Sequence, residues 1–130
     1  YILTKLMWNA DADVNRLIEE FTDYYYGAAG KYIREYIDLL CDTARKEDDH
    51  TGFNDKPLHK YLDKQYLDQY DDLFVKAIDA VRDDVIRRFR VEKARLSIRY
   101  MRFYRDFLLR GKPIGINLYS HWTFEGPEIL

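Results

Sequence analysis

The chain has little of what usually carries chemistry in a small protein. Only one cysteine, Cys41, occurs in 130 residues. That excludes an internal disulfide and leaves the redox compartment open. The three histidines, His50, His59 and His121, are scattered over loops and a short turn. None has the paired spacing of a metal site, so each reads as a surface residue. Gly27 and Gly30 flank Ala28-Ala29 and match neither nucleotide fingerprint, so no phosphate cradle is expected. No cofactor or metal is expected on these grounds. No apolar run reaches the roughly 18 residues that a membrane helix needs, and no leader-like segment is present. The chain opens on Tyr1 rather than Met. It reads as a piece of a longer polypeptide, so the missing leader leaves localisation open.

What is present is material for a core. Hydrophobic residues make up 47% of the chain and aromatics 16%, including 12 Tyr, which excludes global disorder. A length of 130 residues suits one domain. The net charge of −2 favours no polyanionic partner, but the charge is unevenly spread. Residues 1–81 carry 17 acids against 10 Lys and Arg, and residues 82–110 carry 4 against 10. The favoured reading is an internal match, with acidic helices packed on a basic one. The alternative is a nucleic-acid groove.

The basic stretch, Val85 to Leu109, contains neither Gly nor Pro. At about 100° per residue, Val85, Phe89, Leu96, Tyr100, Phe103 and Phe107 fall on one face. Val91, Ala94, Ile98, Met101 and Leu108 fall on the other. A ridge of Arg88, Arg95, Arg99 and Arg102 runs between them. A helix apolar on two sides calls for a partner on each. The expected fold is therefore all-α, a bundle of four to five helices around a long central helix at about 85–110.

The remaining elements follow from periodicity and caps. Residues 1–8 read as the end of a preceding helix, with an apolar face of Ile2, Leu3, Leu6 and Met7. Residues 9–130 read as a single helical domain. Asp11 and Asp13 are N-cap candidates for a helix striped by Val14, Leu17, Ile18, Phe21 and Tyr25. Gly27 is placed to close it in a left-handed cap. A third helix runs from about Ala28 to Lys46, with Ala29, Ile33, Tyr36, Ile37, Leu40, Cys41 and Ala44 inward. On this stripe Cys41 reads as a small core residue rather than a nucleophile. A mobile loop is expected at about 47–57, then a short turn within Leu58 to Lys64. Tyr66 to Arg82 is helical, with Leu67, Tyr70, Leu73, Phe74, Ala77, Ile78 and Val81 inward. Asp83-Asp84 breaks the chain before the long helix. Gly111, Pro113 and Gly115 end that helix, leaving an irregular aromatic tail with a short strand around Ile116 to Tyr119.

The acid pairs Glu19-Glu20, Asp48-Asp49, Asp71-Asp72 and Asp83-Asp84 raise the question of glycoside hydrolysis. Adjacent acids on a helix point about 100° apart and do not converge on one bond. They read as solvated faces or caps, and no catalytic residue is assigned to this chain. Trp8, Tyr24, Tyr25, Tyr26 and Trp122 are the side chains suited to stacking on a sugar ring, although aromatics of this kind more commonly line the rim of a helical core.

Two blocks carry a family resemblance. The first is a hydrophobic helix ending in Leu6-Met7-Trp8-Asn9, an acidic linker, Val14-x-x-Leu17-Ile18-x-x-Phe21, then Tyr25-Tyr26-Gly27 and Tyr32-Ile33-x-x-Tyr36. The second runs from Tyr66 to Tyr104 through Leu73-Phe74-x-x-Ala77, Asp83-Asp84 and Arg90-Val91-x-x-Ala94-Arg95-Leu96. Together they cover about 80 residues. They resemble the helical region, a domain of unknown function, that follows the TIM-barrel catalytic domain in glycoside hydrolase family 163-like proteins. Ala10 and Ser97 stand where that family usually has proline. The resemblance implies a C-terminal accessory domain of a glycoside hydrolase acting on N-acetylglucosamine-containing glycans, not catalytic by itself. The catalytic acids would lie upstream of Tyr1, and the parent would be secreted, periplasmic or at the cell surface. The implied partners are the upstream barrel and glycan, with neither membrane nor nucleic acid, and self-association is open through Ile2, Leu3, Leu6 and Met7. The alternative from another class is a free-standing helical module binding protein or nucleic acid through Arg88, Arg95, Arg99 and Arg102.

Overall fold

The computed structural model describes residues 1–48 and 58–110. In chain order they form α1 (Ile2–Trp8), α2 (Val14–Tyr26), a 3-10 turn (Gly27–Ala29), α3 (Gly30–Lys46), a second 3-10 turn (Lys60–Leu62), α4 (Lys64–Ala80) and α5 (Val85–Arg110). Among the described residues there is no strand. The all-α class and the number of helices are as the periodicity predicts. The short strand at 116–119 and the greater part of the loop at 47–57 fall outside the described residues.

The helix starts follow from local chemistry. Asp13 caps α2, its carboxylate accepting from the backbone N–H of Asn15 at 2.9 Å and of Arg16 at 3.3 Å. Asp84 does the same for α5, accepting from the N–H of Arg87 at 3.0 Å. That cap is why the chain breaks at Asp83-Asp84 instead of running on from α4. Gly27 closes α2 with a positive φ of 59°, but its ψ of −129° lies outside the left-handed helical region expected for it. Only glycine takes this conformation readily. It turns the chain straight into the 3-10 turn and α3.

The bundle closes in the order α2, α3, α4, α5, each helix packing on the next and α5 returning to touch α2. Its most buried helix is α4, where Tyr70 and Ala77 are fully enclosed and Leu67 and Phe74 nearly so. These pack with Ala29 and Ile33 before and within α3, Leu62 of the second turn, Val81, and Val91 and Ile98 of α5. Burying a side chain of this size is worth about 1.5–3 kcal/mol. The Tyr70 hydroxyl donates to the carbonyl of Tyr61 at 3.0 Å, so the one polar atom of that ring is satisfied. Burial also pushes its phenol up from the ordinary value, which keeps the proton in place. α2 and α3 approach very closely. A Cβ added at Gly30 would lie 2.8 Å from the backbone oxygen of Thr22.

Two expectations change. α5 has one covered side, carrying Val91 and Ile98. On the other side Val85, Phe89, Leu96, Tyr100 and Phe103 are 47–70% exposed, so the described residues supply a partner for one apolar stripe only. Cys41, expected in the core, is exposed. The inward face of α3 is centred on Ile33, Tyr36 and Thr43. At 100° per residue, Cys41 sits well over a quarter turn from that centre. Thr43 is buried in its place, its hydroxyl donating to the carbonyl of Leu39 at 2.7 Å.

Candidate functional site

α1 is a short helix with no buried residue. It lies against α2 near Phe21. The Tyr1 ring sits 5.9 Å from that of Phe21, its hydroxyl donates to Glu20, and the Lys5 ammonium is 3.9 Å from the same carboxylate. Ile2 and Leu6 are half-buried on this side. The other edge is open, with Leu3 at 78%, Met7 at 87% and Trp8 at 88% exposure. Apolar side chains exposed together at this level mark a surface that wants a partner.

The aromatic candidates separate. Tyr25 is tied into the fold: its ring stacks on Phe21 at 5.4 Å, and the Arg90 guanidinium lies over the Tyr25 ring, 4.2 Å from its centroid, while donating to the Tyr25 carbonyl at 2.8 Å. Tyr26 meets Tyr25 edge-on at 4.9 Å and packs against the core. Tyr24 is 82% exposed. Trp8 adjoins the linker into the start of α2 and Tyr24 lies near its end, about 15 Å along the helix. The structure therefore leaves Trp8 and Tyr24 free but at opposite ends of α2. Trp122 lies outside the described residues, as do His50 and His121. His59 is half-buried beside Tyr61.

The Arg ridge is largely a seam. Arg95 holds Asp71 with two hydrogen bonds, Nε at 2.6 Å and Nη2 at 2.8 Å, and both side chains are about one-fifth exposed. Arg102 reaches Asp68 at 2.9 Å and the carbonyl of Leu67 at 3.2 Å. Arg105 pairs with Asp63. The acids Asp63, Asp68 and Asp71 thus meet Arg105, Arg102 and Arg95 in reverse order, which sets α4 and α5 antiparallel. Asp71, read from sequence as a solvated acid, is this pair's carboxylate. The Arg95 guanidinium holds it below the ordinary carboxylate range. Arg88 stays near the surface, 3.5 Å from Glu92. Arg99 is exposed, with no hydrogen bond or ion pair among the described residues. Sequence reasoning missed Arg90 and Arg105. The matching spacing of acids on α4 would have pointed to Arg105, whereas nothing local points Arg90 at Tyr25.

Beside the ridge, a groove of about 670 Å³ opens along the outer side of α5, lined by Ile78, Phe89, Lys93, Leu96 and Arg99 among others. Among the described residues no cluster of three His, Cys, Asp or Glu side chains is placed to hold a metal ion. No described helix is long and apolar enough to cross a membrane. The chain matches no curated protein and no solved structure. Residues 1–38, which span α1, α2, the first 3-10 turn and the start of α3, match the family described as Domain of unknown function (DUF4838).

Proposed function

We propose that this chain is a C-terminal accessory region of a carbohydrate-active enzyme, a glycoside hydrolase acting on N-acetylglucosamine-containing glycans, and is not catalytic by itself. Its partner is a catalytic barrel upstream in the same parent chain. The observation that carries this reading is α1, which only half-buries Ile2 and Leu6 against its own bundle while Leu3, Met7 and Trp8 stand open. The order of the Leu6-Met7-Trp8-Asn9, Tyr25-Tyr26-Gly27 and Tyr32-Ile33-x-x-Tyr36 motifs supports it through their resemblance to glycoside hydrolase family 163-like proteins. The helical bundle braces the barrel, and Trp8 and Tyr24 offer free aromatic faces to distal sugar units. The alternative, a free-standing module reading protein or nucleic acid through the Arg ridge, needs those guanidinium groups available. Arg95 and Arg102 are spent on α4.

The test is made in the whole natural polypeptide. Leu3→Asp with Met7→Asp should lower both the melting temperature of the catalytic part and its hydrolysis of such glycans. The same pair in the 130-residue chain should leave its unfolding free energy within about 0.5 kcal/mol, as exposed substitutions do. A natural polypeptide without glycan hydrolysis, or one indifferent to the pair, would overturn the reading.

A further inference from the structure

We infer that a second copy of this chain docks on the outer face of α5, the two α5 helices packing antiparallel about a two-fold axis at Leu96. This is independent of the enzyme assignment above and uses a different helix from α1. The face is long: from Val85 to Phe103 it runs about 27 Å along the helix. It presents Val85, Phe89, Leu96, Tyr100 and Phe103 at 47–70% exposure. That is more contiguous apolar surface than a soluble helix keeps without a partner.

The occupant is chosen by the symmetry of the face. Phe89, Leu96 and Phe103 recur at the heptad interval, which lets two helices share one seam. The stripe also reads alike in both directions from Leu96: a phenylalanine at equal distance on each side, then Val85 one way and Phe107 the other. A reversed copy therefore sets Leu96 on the partner's Leu96 and Phe89 on the partner's Phe103. The charges agree with that register. At about 100° per residue, Arg88, Glu92, Arg99 and Asp106 fall within about 40° of one another along one edge of the stripe, alternating in sign. All four are exposed. A two-fold axis returns each edge to itself, so the reversed order brings Glu92 to the partner's Arg99 and Arg88 toward the partner's Asp106. A parallel copy would set like charge on like. Arg95, on the same edge, is committed to Asp71, and Arg99 has no ion pair among the described residues. Glu92 has Arg88 of its own helix at 3.5 Å, and a carboxylate accepts from more than one cation. Lys93, on the opposite edge, comes beside the partner's Tyr100, whose ring face attracts a cation. A single helix-on-helix contact of this length buries less than about 1,200 Å² in total, so association is reversible, with a dissociation constant of roughly 1–100 μM.

Sedimentation velocity of the 130-residue chain over roughly 1–500 μM tests this, and should show a monomer passing into a dimer. Glu92→Arg and Arg99→Glu, both at exposed positions, each turn two attractive pairs repulsive and should raise the dissociation constant about tenfold. Mixed in equal amounts, the two variants should dimerise again, because each reversed charge then meets its opposite on the other chain. Leu3→Asp with Met7→Asp should leave the association unchanged, which separates this face from the open edge of α1. A chain monomeric throughout, a dimer indifferent to both reversals, a mixture no tighter than either variant alone, or a dimer lost with the α1 pair would overturn the inference.

Discussion

Removing the Asp71 carboxylate is the sharpest test of the seam between α4 and α5. Asp71→Ala deletes both bonds to Arg95 and leaves a guanidinium whose side chain is only 17% exposed without its acid. An exposed pair contributes at most about 1 kcal/mol, because water and salt screen it. Breaking a fully buried pair costs about 3–5 kcal/mol. This pair is roughly four-fifths covered and has the two-pronged geometry that suits arginine. The expected loss is therefore about 1.5–3 kcal/mol, the range for hydrogen bonds to charged groups. Urea unfolding followed by far-ultraviolet circular dichroism reads it as a lower midpoint at unchanged slope. Two companions sharpen the result. Arg88→Ala removes a pair about half exposed and should cost no more than about 0.5 kcal/mol. Asp71→Leu with Arg95→Met replaces both charges by apolar groups and should recover to within about 1 kcal/mol of the parent. A loss below about 0.5 kcal/mol for Asp71→Ala would refute the reasoning and return the ridge to solvent.

Three further outcomes follow from the same structure. Gly30→Ala should destabilise by about 1–2 kcal/mol: the new methyl meets the Thr22 backbone at 2.8 Å, and overpacking outweighs the gain of at most about 1 kcal/mol in helix propensity; chemical denaturation measures it, and a stabilised variant would contradict the close crossing. Asp71, Asp68 and Asp84 are all held below their ordinary value near 3.8, chiefly by Arg95, by Lys64 and by the Arg87 backbone N–H respectively. A carboxyl depressed in the fold stabilises it above the unfolded value and loses that contribution as pH falls through the folded one. Melting temperature should therefore drop on acidification below about pH 4, less steeply in Asp71→Asn; a flat profile would count against these contacts. Cys41 should react with a maleimide in the folded chain as fast as in urea, since it is exposed; strong protection in the native state would restore it to the core.

The fold was legible where periodicity and caps agree. Of the stripe Leu67, Tyr70, Leu73, Phe74, Ala77, Ile78 and Val81, all are buried except Ile78, which is partly buried against the core. The Asp83-Asp84 break was readable because a carboxylate before an apolar run is a cap. Cys41 was misplaced because α3 turns a broad, mixed face inward, and the polar Thr43 was not counted as a core residue. The second stripe of α5 was read correctly as apolar, but periodicity says only that a face wants a cover, not that the described helices supply it. Tyr25 and Tyr26 show the same limit. Their residue type suits sugar stacking, yet Phe21, Arg90 and the core claim them, and only tertiary contacts reveal that.

The most direct test of the accessory-domain account is the length of the natural polypeptide, by intact mass from its source. The account predicts a chain longer by a barrel-sized stretch, roughly 250 residues or more, ahead of Tyr1. A natural chain that begins within a few residues of Tyr1 would contradict it, and the exposed edge of α1 would then need a different partner.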